Sequence, residues 1–319
     1  YHDQAFVPYL YKGDYYAFPE TQGWSALFYR TDIFDTLGIE PPNTWEDVYN
    51  ILPTLSNSGY DFCYNYSVGG YTPFLYQYGG DFYDADAMQS ALNTEVAYES
   101  FMEFADLYLQ YNFVYAANFY MRFKSGEMPI GIADMTFYQQ LNYSAPELNG
   151  KWAMTVVPGH VVGVDEKTGE EIIDRSTSGL GTCCIIVRQD DVKKQQYEES
   201  WTFLQWWLSD DVQAEYGREV EATFGVASRW NPANMVATQS LPYSQEELDV
   251  INAQWVHLKE SPNTMGGYYT SRYLLTALNQ TVIQGLSGRI ALEDAVKEIN
   301  KEMRRKQDEF GIPEDGSVL

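Results

Sequence analysis

The spacing of apolar positions along the chain switches repeatedly between a period of two and one of about 3.6, with glycine and proline marking nearly every switch. Residues 9–19, YLYKGDYYAFP, predict a hairpin turning at Gly13-Asp14, and SALFY over 25–29 predicts a strand. Thr31 is expected to cap a helix running to Leu37 with Gly38 as its left-handed stop. Pro41-Pro42 forbids helix, and Thr44-Trp45-Glu46-Asp47 has the spacing of a capping box that starts the next one.

Further on, residues 71–78 predict a helix stopped by Gly79-Gly80. Asn93 opens a longer helix that aligns Val96, Phe101, Phe104, Leu107, Tyr108 and Tyr111 near one face. A short helix over 118–125, a strand over 128–133 and a helix opened by Asp134 follow. After them come a strand over 152–157 and a hairpin over 161–173 with its tip at Lys167-Thr168-Gly169. Small residues fill 176–181, and the apolar run 182–187 predicts a buried strand. Helical spacing dominates afterwards, over 194–208, 211–219, 245–259, 272–285 and 291–310, before a polar tail from Gly311 that is expected to fray. Strands alternating with helices argue for α/β layers.

Charge changes this picture by exclusion. Acidic side chains number 45 against 20 basic ones, a formal net charge of −25, so the average surface repels phosphate backbones and nucleic acid is not an expected partner. No apolar run reaches bilayer length, and the first sixteen residues lack the pattern of a signal peptide. The cysteines Cys63, Cys183 and Cys184 give no disulfide framework and are expected to be small buried apolar residues. The 27 tyrosines are the unusual count, because a phenol favours surfaces that are half wet and half apolar, as stacking surfaces for sugars, peptides or bases are.

Catalytic templates are sparse. The histidines are His2, His160 and His257, without HExxH or paired-cysteine spacing, so no metal site and no cofactor is expected. Phosphate-binding loops, dinucleotide fingerprints and GxSxG elbows are absent from the sequence. Asp81, Asp84 and Asp86 lack the central glycine of a calcium loop and are expected in a solvated turn. Carboxylate pairs suited to glycoside hydrolysis are available to any chain with so many acids.

The segment YLYKGDYYAFPETQGWSALFYRTDIFDTLGIEPPNTWEDV resembles a stretch of the extracellular solute-binding proteins of ABC importers, family 1, of the maltose- and multiple-sugar-binding type. Tyr29-Arg30-Thr31-Asp32 stands where that family has Tyr-Asn-Lys-Asp. Matches continue in order at Tyr78-Gly79-Gly80-Asp81, Leu92-Asn93-Thr94-Glu95, Phe123-Lys124-Ser125-Gly126-Glu127, residues 152–159 and VIQGLSGRIALEDA over 282–295. The resemblance begins past the family's first strand-helix unit.

It implies a two-lobed, type II periplasmic-binding-protein-like α/β fold whose N-terminal lobe is incomplete in this chain. Residues 1–25 and 179–267 would be the remainder of that lobe, 26–178 and 268–319 the second lobe, with crossovers near 22–27, 176–181 and 265–269. The resemblance further implies a carbohydrate, an oligosaccharide, held between the lobes and delivered to permease subunits of a membrane transporter. It implies no enzymatic activity, an extracellular place at a bacterial surface, a lipid anchor preceding Tyr1, and a monomer. Carried over position by position, the ligand-binding residues would be Gln22, Trp24, Tyr71, Asp134, Thr136, Phe137, Tyr138, Tyr268, Tyr269 and Arg272. Trp201, Trp206 and Trp207 are expected in core or lobe surface. The alternatives left open are the same fold binding an anion or a peptide, with Arg272 as the hint, and a carbohydrate-active enzyme.

Overall fold

A computed structural model of the chain describes residues 1–179, 181–187, 189 and 194–312. The expected frayed tail therefore lies largely outside the described residues, as does Leu180 within the 176–181 segment. After a 3-10 turn at Asp3–Tyr9, β1 (Leu10–Tyr11) and β2 (Asp14–Tyr15) form the first hairpin, and β3 (Phe18–Pro19) leads to β4 (Ser25–Tyr29). Next come α1 (Thr31–Leu37), α2 (Trp45–Asn57), β5 (Phe62–Cys63), α3 (Val68–Gln77), α4 (Glu95–Leu109), α5 (Phe119–Ser125), β6 (Ile130–Asp134) and α6 (Met135–Ser144). They are followed by β7 (Ala153–Thr155), the hairpin β8 (His160–Val164) and β9 (Glu171–Asp174), and β10 (Cys183–Cys184). The last stretch is helical: α7 (Lys194–Trp207), α8 (Asp210–Phe224), α9 (Met235–Thr238), α10 (Gln245–Trp255), α11 (Tyr268–Val282) and α12 (Gly288–Glu309).

The central sheet has the order β5-β6-β4-β7. β4 runs antiparallel to both its neighbours, and β5 is parallel to β6. Successive side chains of a strand point to opposite faces, and β4 uses this alternation to build two cores. Leu27 joins Phe62 and Ile130 under α2, α3, α4, α11 and α12, whereas Ala26 and Phe28 face α5, α6 and α10 on the other side. The result is a three-layer α/β/α unit. Helix α10, from the stretch expected in the first lobe, packs Leu248, Ile251 and Trp255 onto the back of this sheet.

Local signals explain most boundaries. The capping box is present, with Asp47 N–H donating to Thr44 Oγ1 at 3.1 Å and Thr44 N–H to the Asp47 carboxylate at 2.9 Å. Gly38 closes α1 at φ 64°, in the left-handed region. Thr31 is not the cap, however: it is the first helical residue, and Arg30 precedes it, spanning Asp32 in a two-pronged ion pair at 2.6 and 2.8 Å. Thr94, not Asn93, caps α4, because its hydroxyl accepts from Ala97 N–H.

One expected strand is corrected. The run 182–187 is not buried: β10 has two residues, pairs on one side with β3, and leaves Ile185, Ile186 and Val187 exposed, the last 62% so. Strand pairing is satisfied by one neighbour, and the apolar residues after β10 stay exposed. Cys183 is accordingly exposed, and Cys63 and Cys184 are half-buried. Trp201 and Trp206 lie on the surface of α7, while Trp207 is half-buried and donates its indole N–H to Glu20 at 2.8 Å.

Candidate functional site

A cleft of about 1120 Å³ opens at the edge of the sheet where three chain segments pass side by side. Its floor is formed by Gly23-Trp24-Ser25, Val157-Pro158 and Thr177-Ser178-Gly179. Main-chain hydrogen bonds tie this floor to the chain around it. Thr177 N–H donates to His257 O at 3.1 Å, Lys259 N–H donates back to Thr177 O at 2.9 Å, and Gln22 N–H donates to Asn231 O at 3.1 Å. The stretch 257–260 thus lies beside 177–179. Residues 265–269 pack on α12, where a Cβ on Gly266 would stand 2.8 Å from Met303 Cα.

Side chains suture the same junction. Buried Gln254 accepts from Val157 N–H at 2.9 Å and donates to Arg175 O at 3.0 Å and Thr177 Oγ1 at 3.2 Å. Arg175 donates to Val157 O at 2.8 Å and to Asn43 O at 2.6 Å, and its other terminal nitrogen bonds the Asn43 side chain. With carbonyls as partners rather than a carboxylate, burial holds the Arg175 pKa below its usual value, and the Asp47 charge only partly offsets this.

The walls come from three places. The β5–α3 connection supplies Asn65 and Tyr66, the approach to α5 supplies Tyr115, Asn118 and Phe119, and the start of α6 supplies Asp134, Thr136, Gln139 and Gln140. Each wall is fixed by a local device. Tyr64 OH donates to Gly70 O at 2.7 Å, and Gly70 packs so closely on the preceding loop that a Cβ there would lie 2.0 Å from Asn65 O. Tyr66 OH donates to Asn279 Oδ1 at 3.2 Å, and the Tyr66 and Tyr115 rings meet edge to face at 5.3 Å. Burial, and secondarily the neighbouring Tyr115, pushes the Tyr66 phenol up to about 12, so it stays a neutral donor. Asn118 caps α5 and Asp134 caps α6, the latter accepting from Thr136 N–H at 2.9 Å. Phe119 stacks on Phe137 at 4.3 Å.

Behind the floor lies a polar network. Gln77, which lines the cleft, donates to Pro158 O and Ser176 O, so its amide oxygen must face the other way. That oxygen accepts from Trp45 Nε1 at 3.2 Å and from His160 Nδ1 at 2.8 Å. His160 Nε2 reaches Glu103 at 2.8 Å, and Tyr49 OH donates to the same carboxylate at 2.6 Å. Burial alone would push the Glu103 carboxyl up, but hydrogen bonds from His160, Tyr49 and Tyr78 together with the His160 charge outweigh it and hold the group below the usual range.

Of the residues singled out from the sequence, the structure brings Trp24, Asp134, Thr136 and Phe137 to the cleft. Gln22 is buried beneath it, within 3.5 Å of Glu260. Tyr71 is fully buried in the core, its hydroxyl on Ala97 O. Tyr138, one residue on from Phe137 along α6, turns inward and accepts from Arg229 at 2.6 Å. The Tyr268 and Tyr269 rings lie tilted against each other at 4.4 Å on α11, near Lys306 and Arg305, and Arg272 is exposed on the same helix outside the cleft lining. The lining also includes Asn65, Tyr66, Tyr115, Asn118, Tyr120, Gln139, Gln140 and Asn231, loop and helix-start positions without periodic pattern.

Asp134 is the one charged residue among the described lining residues. Among the described residues no group of three or more His, Cys, Asp and Glu side chains could hold a metal ion, and no helix is long and apolar enough to cross a membrane. An aromatic- and amide-lined cleft with a single carboxylate is the layout of a small-molecule binding protein.

The chain belongs to the bacterial extracellular solute-binding proteins: the family model matches residues 1–214. Its fold is that of the sugar-binding protein MalE from Xanthomonas citri, with a TM-score of 0.75 at 15% identity over 98% of this chain and 77% of that one. It is likewise similar to the cyclic α-maltosyl-1,6-maltose binding protein from Arthrobacter globiformis, with a TM-score of 0.72 at 19% identity over 95% and 76%. The GacH receptor of Streptomyces glaucescens, solved unliganded and with acarbose, gives 0.68 at 16% over 95% and 75%. The chain thus spans about three quarters of the length of these proteins. No curated protein matches it by sequence.

Proposed function

We propose that this protein binds a neutral oligosaccharide in the cleft and hands it unaltered to the permease of an ABC importer. The composition of the cleft carries this reading. Aromatic faces at Tyr66, Tyr115 and Phe119 suit the CH faces of pyranose rings, while Asn65, Asn118, Thr136, Gln139 and Gln140 offer both donors and acceptors to hydroxyls. No lysine, arginine or histidine lies among the described lining residues, which disfavours an anionic ligand. The structural neighbours' saccharide ligands support the same class.

One lobe would be the sheet unit with α11 and α12. The other would draw on 1–25 and 179–267, with α10 reaching back across the junction. Binding without catalysis requires only that ligand stabilise one lobe arrangement over another. A lipid anchor, a cell-surface location and a monomeric state belong to the same reading.

The test is a thermal-shift and calorimetric screen of maltotriose, cellotriose, xylotriose, trigalacturonate and a tripeptide, with chromatography of the sugars afterwards. Neutral trisaccharides should raise the midpoint by mass action. Tyr115→Ala, at a ring 47% exposed, should weaken binding by about 1–2 kcal/mol while leaving the unliganded midpoint in place. A response confined to trigalacturonate or the tripeptide, or release of shorter sugars, would overturn the proposal.

A further inference from the structure

Under the cleft, one carboxyl group joins three stretches of the chain. Glu260, in 257–260, accepts the N–H of Gly179 at 2.7 Å and faces the amide nitrogen of Gln22 at 3.5 Å. Its own N–H donates to Gln4 Oε1 at 3.1 Å. The segments are in backbone contact here, since a Cβ on Gly179 would lie 2.2 Å from Gln22 Nε2 and 2.5 Å from Gly23 O.

Among the described residues no cation acts on the group. The titratable side chains facing it are Tyr9, from the 3-10 turn, and Tyr76, from α3, each held in its neutral form by burial and by the Glu260 charge itself. Tyr9 in turn bonds the Cys183 side chain on β10. The nearest candidate, Lys259, is turned away, with its ammonium on Asp81 at 2.9 Å and over the Tyr76 ring at 4.8 Å. Burial therefore raises the Glu260 carboxyl to about 7, against the smaller opposing pull of the Gly179 and Gln22 hydrogen bonds.

We propose that Glu260 is a proton-controlled bolt on the junction: neutral, it stays buried where these stretches of chain meet, and charged, with no cation beside it, it draws in water and lets them part. In a hinged binding protein this makes cleft opening, and hence ligand retention, depend on pH. The inference rests on the binding reading above. The sign follows from linkage. With the folded value above the ordinary 4.5, the stabilisation is complete below about 4.5 and is lost as pH rises through about 7.

The test uses the full chain without ligand. Hydrogen exchange is followed in peptides covering 20–25 and 175–182 at pH 6 and pH 8, corrected for intrinsic rate, in the wild type and in Glu260→Gln. Linkage between an open-state value of about 4.5 and a closed-state value of about 7 predicts that junction opening in the wild type grows about tenfold between these pH values. In Glu260→Gln, which keeps the acceptor for Gly179, it should not change. Carbon-13 carboxyl spectra of the wild type provide a readout that needs no variant, in which one glutamate should titrate near neutrality. Equal pH responses in both proteins, or glutamates that all titrate in the ordinary range, would overturn the bolt. Neither readout involves a saccharide. Failure to bind sugar thus strikes the binding reading, and a flat exchange profile in a chain that does bind strikes the bolt alone.

Discussion

Glu103→Gln is the perturbation that most directly probes how the cleft floor is held. The carboxylate is about one-fifth exposed and receives His160 Nε2 at 2.8 Å and Tyr49 OH at 2.6 Å. Gln77 presents its oxygen to His160 Nδ1 at 2.8 Å. Replacing the carboxylate leaves His160 and the Tyr49 hydroxyl facing a neutral amide with a single acceptor atom. Breaking a buried pair by deleting one partner costs about 3–5 kcal/mol, and the partial exposure of both groups reduces the expected loss to about 2–3 kcal/mol at pH 7. Urea denaturation followed by tryptophan fluorescence measures it. The folded-state pKa of Glu103 is depressed, so its contribution is present above the ordinary carboxyl value of 4.5 and is lost as pH falls below it. The gap between wild type and variant should therefore narrow between pH 6 and pH 3.5. A cycle with His160→Ala should return a coupling of about 1–3 kcal/mol. A variant within about 0.5 kcal/mol of wild type at pH 7, the range usual for surface substitutions, would refute the reasoning, as would a gap that does not change with pH.

Two other substitutions test parts of the same frame. Gly70→Ala drives a methyl group into Asn65 O and should cost about 1–3 kcal/mol, and it should also weaken trisaccharide binding because it displaces the Asn65-Tyr66 wall, as calorimetry of the folded variant will read. Arg229→Met removes the partner of Glu221, held at 2.6 and 2.7 Å in a nearly buried site with the Tyr243 ring 4.5 Å away, and should lose about 3–5 kcal/mol in urea denaturation. A double variant with Glu221→Leu should recover part of that loss, since no uncompensated charge is then left inside.

The elements legible in the sequence were those set by local chemistry. The strand at 25–29, the Thr44-Asp47 box and the Gly38 stop depend on residues within a few positions of one another, and all three stand in the structure. The run 182–187 was misjudged because apolar content reports what a segment could bury, not whether a neighbour arrives to cover it. The candidate site divides along the same line. Trp24 and Asp134 reach the cleft because they lie at the end of the paired strands β4 and β6 where Ser25 pairs with Asp134, so that register fixes their position, and Thr136 and Phe137 follow in the first turn of α6. Tyr71 lies at a helix position whose face is settled by long-range packing on Ala97 and Phe101. Tyr138 shows how sharply position along a helix decides, since one residue, about 100° of turn, separates a cleft wall from an internal ion pair. Tyr66 and Tyr115 were invisible because they lie in connections, whose course is set by tertiary contacts rather than by periodicity.

The cleft's electrical character has a consequence that separates the proposed ligand class from its rivals. The chain carries a formal charge of −25, yet the described lining of its cleft contains one carboxylate and no cation. An anion approaching the opening meets net repulsion and finds no guanidinium or ammonium to offset it, and added salt would relieve that repulsion. A cation would be drawn in and would lose affinity as salt rises. A neutral saccharide couples to the field only through its hydroxyl dipoles, in contacts far shorter than the screening length of about 8 Å at physiological ionic strength. Its affinity should therefore change by less than about twofold between 20 mM and 500 mM sodium chloride, because hydrogen bonds and ring stacking inside the cleft are screened little. Calorimetry of maltotriose, or of whichever trisaccharide raises the midpoint, across that range gives the slope. A tenfold or larger dependence in either direction would mean that charge, not stacking and hydroxyl pairing, selects the ligand.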